Sequence, residues 1–104
     1  MKICDKDDEI VDVFSIYWFG EETYYLGLPK RHGGLCAYKN SEVSIVDPIL
    51  NFKLSFFQNN ARGVYHWALI ERRLLDDLLE LDGDAYGIFL AIIKSEGLVD
   101  AGFY

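Results

Sequence analysis

The sequence lacks the features that mark several protein classes. Its 104 residues include only two cysteines, Cys4 and Cys36, which are too far apart for a CxxC motif. An acidic chain that can build an adequate core needs no disulfide, so we expect two reduced thiols in a cytoplasmic protein. No apolar run approaches the ~20 residues that span a bilayer, and the charged start MKICDKDDE is unlike a signal peptide. The sequence therefore predicts one soluble domain over residues 1–104.

Basic residues are also scarce. Ten Lys and Arg stand against seventeen Asp and Glu, which gives a formal net charge of -7. Nucleic acids and anionic membranes repel such a protein, so neither is expected as a direct partner. A basic partner protein is compatible with this charge, and so is plain surface acidity that keeps a small protein in solution.

The first two thirds of the chain reads as short strands separated by turns. Ile10–Phe19 is rich in β-branched and aromatic residues, and Gly20-Glu21-Glu22 is a tight turn into the next strand. Simple alternation places Val11, Val13, Ser15, Tyr17 and Phe19 on one face of this strand and Asp12, Phe14, Ile16 and Trp18 on the other. The other predicted strands are Thr23–Leu28, Leu35–Lys39, Glu42–Val46 and Phe52–Phe57. Lys2–Cys4 is either a short initial strand or a frayed end. Val64–Leu69 is either the first turn of the helix that follows or a short strand that runs into it, and the short strand is favoured.

Helical spacing begins near Trp67. Leucines and Ile70 recur on one face up to Leu81, with charged residues opposite, which predicts one amphipathic helix. Ion pairs from Arg72 to Asp76 and from Arg73 to Asp77 are expected on its outer face. Asp82-Gly83-Asp84 reads as the corner of a helical hairpin, with Gly83 ending the first helix and Asp84 capping the second.

The second helix, 85–96, is apolar nearly all round, and Gly97 ends it. Strands followed by helices predict an α+β fold. We expect an antiparallel sheet of five or six strands, arranged as a meander, with the C-terminal helical hairpin packed on one face.

No motif in the sequence indicates catalysis. Cys4, His32, Cys36 and His66 have no metal-ligand spacing, and no phosphate-binding glycine loop is present. We therefore expect no metal, no cofactor and no catalytic residue. A small enzyme that uses Cys36 with His32 or His66 is a third alternative, although no helix N-terminus precedes Cys36 to stabilise a thiolate.

What remains is a surface rich in acids and aromatic rings. Aromatic side chains supply buried area at protein interfaces, and carboxylates steer a basic partner. The alternative, that the rings are core and the acids are solvated faces, stays open. The predicted partner-binding residues are Asp76, Asp77, Glu80, Asp82 and Asp84, with Glu21, Glu22 and Tyr25 as a second patch.

In general character the whole chain resembles the immunity proteins of bacterial toxin systems, including the barstar-like and contact-dependent growth inhibition types. It is small, acidic and rich in aromatic residues, and it has no catalytic constellation. The resemblance implies a non-enzymatic inhibitor that binds and neutralises a cognate basic nuclease toxin. Separately, we expect the free protein to be a monomer. The alternative is an adaptor or regulatory subunit that binds a non-nuclease protein. Such a subunit could also form a homodimer through a sheet edge.

Overall fold

A computed structural model describes residues 1–104 and confirms the α+β class. A seven-stranded antiparallel sheet is accompanied by three helices. The strands are β1 (Lys2–Cys4), β2 (Ile10–Phe19), β3 (Glu22–Leu28), β4 (Cys36–Lys39), β5 (Ser44–Asp47), β6 (Leu54–Gln58) and β7 (Arg62–His66). The helices are α1 (Trp67–Glu71), α2 (Leu75–Leu79) and α3 (Gly83–Ser95), and a single 3-10 turn covers Asn40–Glu42.

β2 organises the sheet. Along one edge, β2 pairs with β3 over most of its length, and β3 pairs with β4. These three strands form the expected meander. On its other side the first part of β2 pairs with β1 and the second part with β7. β5 then pairs with β1, and β6 pairs with β7. The sheet therefore branches at β2 and is not a simple meander throughout.

A β-bulge in β2 corrects the predicted faces of this strand. Val13 pairs with Gly27 and Ser15 pairs with Leu26, so Phe14 is the extra residue. Phe14 belongs to the core beneath the helices, and Ile16 joins the core on the opposite side. An inserted residue shifts the alternation that follows it. Val11 and Val13 therefore share a face with Ile16, not with Ser15 and Tyr17.

The two faces of the sheet are covered differently. The helices cover one face over a core that includes Phe14, Leu26 and Phe89. A smaller core lies on the other face around Ile3 and Val11, with Val43 and Leu50 packed against it. No helix is long and apolar enough to cross a bilayer.

The predicted amphipathic helix is interrupted. α1 ends at Glu71 and α2 begins at Leu75, and between them Arg73 takes a left-handed backbone conformation with φ of 55°. The break allows Leu69, Leu74 and Leu78 to be buried in the same core. Neither expected ion pair, Arg72 to Asp76 or Arg73 to Asp77, is formed, because the residues no longer lie on one continuous helix.

The corner between α2 and α3 is also shifted by two residues. Leu81, not Gly83, takes the left-handed conformation, with φ of 62°. Asp82, not Asp84, caps α3, because its Oδ1 accepts a hydrogen bond from the Ala85 amide at 2.9 Å. Gly97, with φ of 72°, follows α3 as expected.

Candidate functional site

Five predicted carboxylates gather at the end of the molecule where α2 turns into α3. We call Asp76, Asp77, Glu80, Asp82 and Asp84 the acidic corner. Leu78 of α2 and Ala85 of α3 point into the core, which turns the intervening acidic side chains outward. All five corner residues are exposed. The leucine stripe that anchors α2 therefore also presents its carboxylates to solvent.

The position of α2 is fixed by a close approach to the β3–β4 loop. The Leu35 amide donates a hydrogen bond to the Leu78 carbonyl at 3.1 Å. Gly34 is buried here, and a Cβ at this position would lie 2.3 Å from the Leu78 carbonyl oxygen and 2.6 Å from Leu81 Cδ2. Only a glycine permits this contact, so the loop holds the acidic corner in place.

No basic side chain forms an ion pair with the acidic corner. The salt bridges of the protein join Lys2 to Asp12, Lys6 to Glu42, Lys39 to Glu22, Lys53 to Glu71 and His66 to Glu96. None includes a corner residue. Asp82 is partly satisfied by the α3 amide that it caps, and the other four carboxylates accept no protein hydrogen bond. The corner is therefore a concentration of unpaired negative charge.

Aliphatic side chains lie among these carboxylates. Leu79, Leu81 and Ile88 each expose 42–50% of their surface, and Ile88 follows Asp84 by one helical turn. Exposed apolar side chains ringed by charges are typical of surfaces that bind other proteins. Helical spacing placed these residues in the packing faces of the helices, because spacing alone does not show which part of a wide apolar face stays exposed.

A shallow cleft lies next to the acidic corner. Its volume is about 310 Å³, and Phe57, Ile70, Leu75 and Asp76 are among the residues that line it. The cleft joins the first corner carboxylate to the apolar surface between β6 and the helices. Arg73 also lines the cleft, so a cation lies near Asp76 at this end of the acidic corner.

The three residues of the second predicted patch do not form one exposed surface. Glu21 and Glu22 are exposed on the β2–β3 turn, but Glu22 Oε1 is engaged by Lys39 Nζ at 3.6 Å. Tyr25 is only 4% exposed, and its hydroxyl donates a hydrogen bond to Asn40 Oδ1 at 2.6 Å. Tyr25 therefore belongs to the core and is removed from the candidate surface. No hydrogen bond or ion pair links this turn to the acidic corner.

Cys36 and His32 are brought together, as the enzyme alternative requires. Cys36 Sγ lies 3.0 Å from His32 Nε2 across the glycine loop. Burial raises the pKa of the Cys36 thiol, so the protonated thiol is favoured over the nucleophilic thiolate. Cys4 is a separate free thiol in β1. The pair has hydrogen-bonding geometry without the electropositive surroundings of an activated cysteine.

His66 is engaged in a buried network that the sequence does not reveal. The Ala68 amide donates to His66 Nδ1 at 3.1 Å, so the ring proton is on Nε2, which donates to Glu96 Oε1 at 2.6 Å. Trp67 Nε1 donates to Glu96 Oε2 at 2.7 Å. Burial lowers the pKa of His66, while the bond to Glu96 opposes this shift. The network ties the end of β7 to the end of α3, thirty residues further along the chain.

We compared the chain with family models, with curated proteins and with solved structures, and none of them matches it.

Proposed function

We propose that this protein is a non-enzymatic immunity protein that binds a basic nuclease toxin and covers its active site with the acidic corner. The observation that carries the proposal is the set of exposed carboxylates at the α2–α3 turn, none of which has a basic partner within the chain. In this proposal the chain itself performs no chemistry.

Electrostatics favours such a partner. A nuclease site attracts phosphate groups, so a rigid group of carboxylates competes with the substrate for the same positive charges. Attraction between oppositely charged surfaces also raises association rate constants to about 10⁸ M⁻¹s⁻¹ or more at low salt. A toxin that kills its own producer must be neutralised quickly, and rapid association serves that purpose.

The exposed aliphatic side chains beside the acidic corner would supply binding affinity that charges alone do not. Charged pairs at the rim of an interface chiefly affect rate and specificity, whereas buried apolar groups supply most of the affinity. Leu79, Leu81 and Ile88 are the exposed aliphatic groups among the corner carboxylates. They would be desolvated when the nuclease binds.

Two further features support a cytoplasmic inhibitor. Cys4 and Cys36 are both free thiols, as is usual in a reducing compartment. The net charge of -7 disfavours direct binding to nucleic acid, so this protein would bind the nuclease itself and not the nucleic acid substrate of the nuclease.

The experiment is affinity capture from cells that encode this chain, followed by a nuclease assay on the captured protein. We expect a basic protein whose nuclease activity is inhibited in the complex and appears after dissociation at high salt. The charge-reversed variant Asp77→Lys/Glu80→Lys should associate on the order of 10-fold more slowly at low salt, with a shallower salt dependence.

The control is Asp7→Lys/Glu9→Lys, which changes the net charge equally but lies in the exposed β1–β2 loop. It should alter association much less, because local charge governs the final approach. Equal effects of the two double variants would contradict the site assignment. Capture of a metabolic or signalling protein that has no nuclease activity would replace the immunity proposal with the adaptor alternative.

A further inference from the structure

β6 is an edge strand with one side unpaired. It pairs only with β7, through Leu54 to His66, Phe56 to Val64 and Gln58 to Arg62. The other edge strands are β4, which ends in Lys39, and β5, which ends in Asp47 before Pro48. β6 has the sequence LSFFQ and contains neither a charge nor a proline. It therefore lacks the usual devices that prevent an edge strand from pairing further.

The hydrogen bonds around β6 show which backbone groups face outward. The Trp67 amide donates to the Lys53 carbonyl at 2.9 Å, and the Asn59 amide donates to the Ala61 carbonyl at 2.9 Å. In an antiparallel pair the hydrogen-bonded residues alternate, so Ser55 and Phe57 also direct their backbone groups at β7. The amides and carbonyls of Leu54, Phe56 and Gln58 therefore point away from the sheet.

The side chain of Phe56 lies on the face opposite the helices. Phe57 packs against Tyr65 in the core beneath the helices, with ring centroids 6.3 Å apart, so its neighbour Phe56 projects to the other face. Phe56 is 64% exposed, more than any other aromatic residue. It continues a cross-strand row through Val64 and Ile16, neither of which is fully buried. An apolar strip thus runs out to the open edge.

The charge distribution determines what can approach this edge. The protein contains seventeen acids, yet none lies between Pro48 and Ile70. The only charged side chains in that range are the cations of Lys53 and Arg62. A basic partner protein would therefore find no carboxylate from this segment to attract it. Two copies of this acidic chain, in contrast, can meet at this edge without placing carboxylates opposite each other.

We propose that β6 pairs antiparallel with β6 of a second copy of this chain, about a two-fold axis at Phe56. Phe56 then lies opposite the Phe56 of the second copy, and Leu54 lies opposite its Gln58. Because these are the residues with outward backbone groups, each facing pair exchanges both of its hydrogen bonds. The two apolar strips join across the axis, and the sheet continues through both copies.

The proposal predicts a concentration-dependent dimer in sedimentation velocity. Raising the salt concentration should tighten it, because salt screens the repulsion between two bodies of net charge -7. Phe56→Lys should weaken the dimer on the order of 100-fold, since it removes two facing rings and sets like charges opposite each other. Val46→Lys is the matched control, because Val46 is 53% exposed on edge strand β5 and should leave the dimer unchanged.

Amide hydrogen exchange on the unmodified chain gives a second readout. The amides of Leu54, Phe56 and Gln58 should exchange more slowly as protein concentration rises, whereas those of Ser55 and Phe57 should be protected at every concentration. A chain that stays monomeric at all concentrations and salt levels would overturn the proposal. A dimer that Phe56→Lys leaves intact, or that Val46→Lys weakens equally, would overturn the assignment to β6. These outcomes are separate from the immunity test, where salt weakens the complex.

Discussion

Replacing Glu96 by alanine tests whether the network around His66 stabilises the fold. Glu96 accepts hydrogen bonds from His66 Nε2 at 2.6 Å and from Trp67 Nε1 at 2.7 Å. His66 is completely buried, so Glu96→Ala leaves its N–H without a protein partner. An unsatisfied buried donor costs about 2 kcal/mol. The Trp67 N–H is more accessible, and losing its bond adds less than about 1 kcal/mol.

The expected loss in the free energy of unfolding is therefore about 2–3 kcal/mol, measured by urea denaturation. This corresponds to a decrease in Tm of roughly 10–20 °C for a domain of this size. Glu96→Gln should lose less, because its amide oxygen can still accept from His66 while its NH₂ group faces the Trp67 donor.

The matched control is Glu71→Ala. Glu71 also pairs with one cation, Lys53 at 3.5 Å, but both side chains are well exposed. An exposed pair of this kind contributes less than about 1 kcal/mol. If Glu96→Ala were no more destabilising than Glu71→Ala, water would be able to replace the carboxylate at His66, and the argument from burial would be wrong.

Three further predictions concern pH and packing. Burial lowers the pKa of His66 below its ordinary 6.5, so as the pH falls the unfolded chain takes up a proton before the folded protein does. The free energy of unfolding should therefore fall as the pH drops through 6.5, and His66→Asn should flatten this slope in denaturation measured on both sides of that pH. Gly34→Ala should lower the free energy of unfolding by about 2 kcal/mol or more, because its Cβ meets the Leu78 carbonyl, whereas Gly87→Ala in open space on α3 should raise it by about 0.5–1 kcal/mol. Burial raises the pKa of Asp12, so Asp12→Asn should increase stability at neutral pH, and this gain should shrink as acid titrates the native carboxyl.

Local sequence signals were sufficient for much of the fold. The strand β2, the tight turn that begins at Gly20, and α3 with its end at Gly97 all follow from composition, periodicity and turn chemistry. These features depend on residues close together in the chain. Exposure of the acidic corner was also predictable, because its carboxylates alternate with leucines whose burial is fixed by helical spacing.

The errors arose where distant residues determine the conformation. The bulge at Phe14 depends on the register between β2 and β3, which alternation within β2 cannot show. The leucine pattern continues across the break at Arg73, and only the packing of Leu74 and Leu78 on the sheet reveals that two short helices fit better than one. Periodicity describes one element, whereas these features belong to pairs of elements.

Tyr25 was misplaced for a related reason. Its neighbours Glu21 and Glu22 suggested a surface patch, but the residues that bury it come from other parts of the chain, among them Asn40 on one side in sequence and the second core around Ile3 on the other. The link from His66 to Glu96 likewise joins residues with no sequence signal in common.

The proposed immunity function requires the acidic corner to bind the active site of a basic nuclease. The most direct measurement is a titration of the captured nuclease with this chain, following cleavage of a nucleic acid substrate. We predict complete, stoichiometric inhibition by the unmodified protein and by Asp7→Lys/Glu9→Lys, with a marked loss of inhibition for Asp77→Lys/Glu80→Lys at the same concentrations. Undiminished inhibition by Asp77→Lys/Glu80→Lys, or a captured partner with no nuclease activity, would contradict the account.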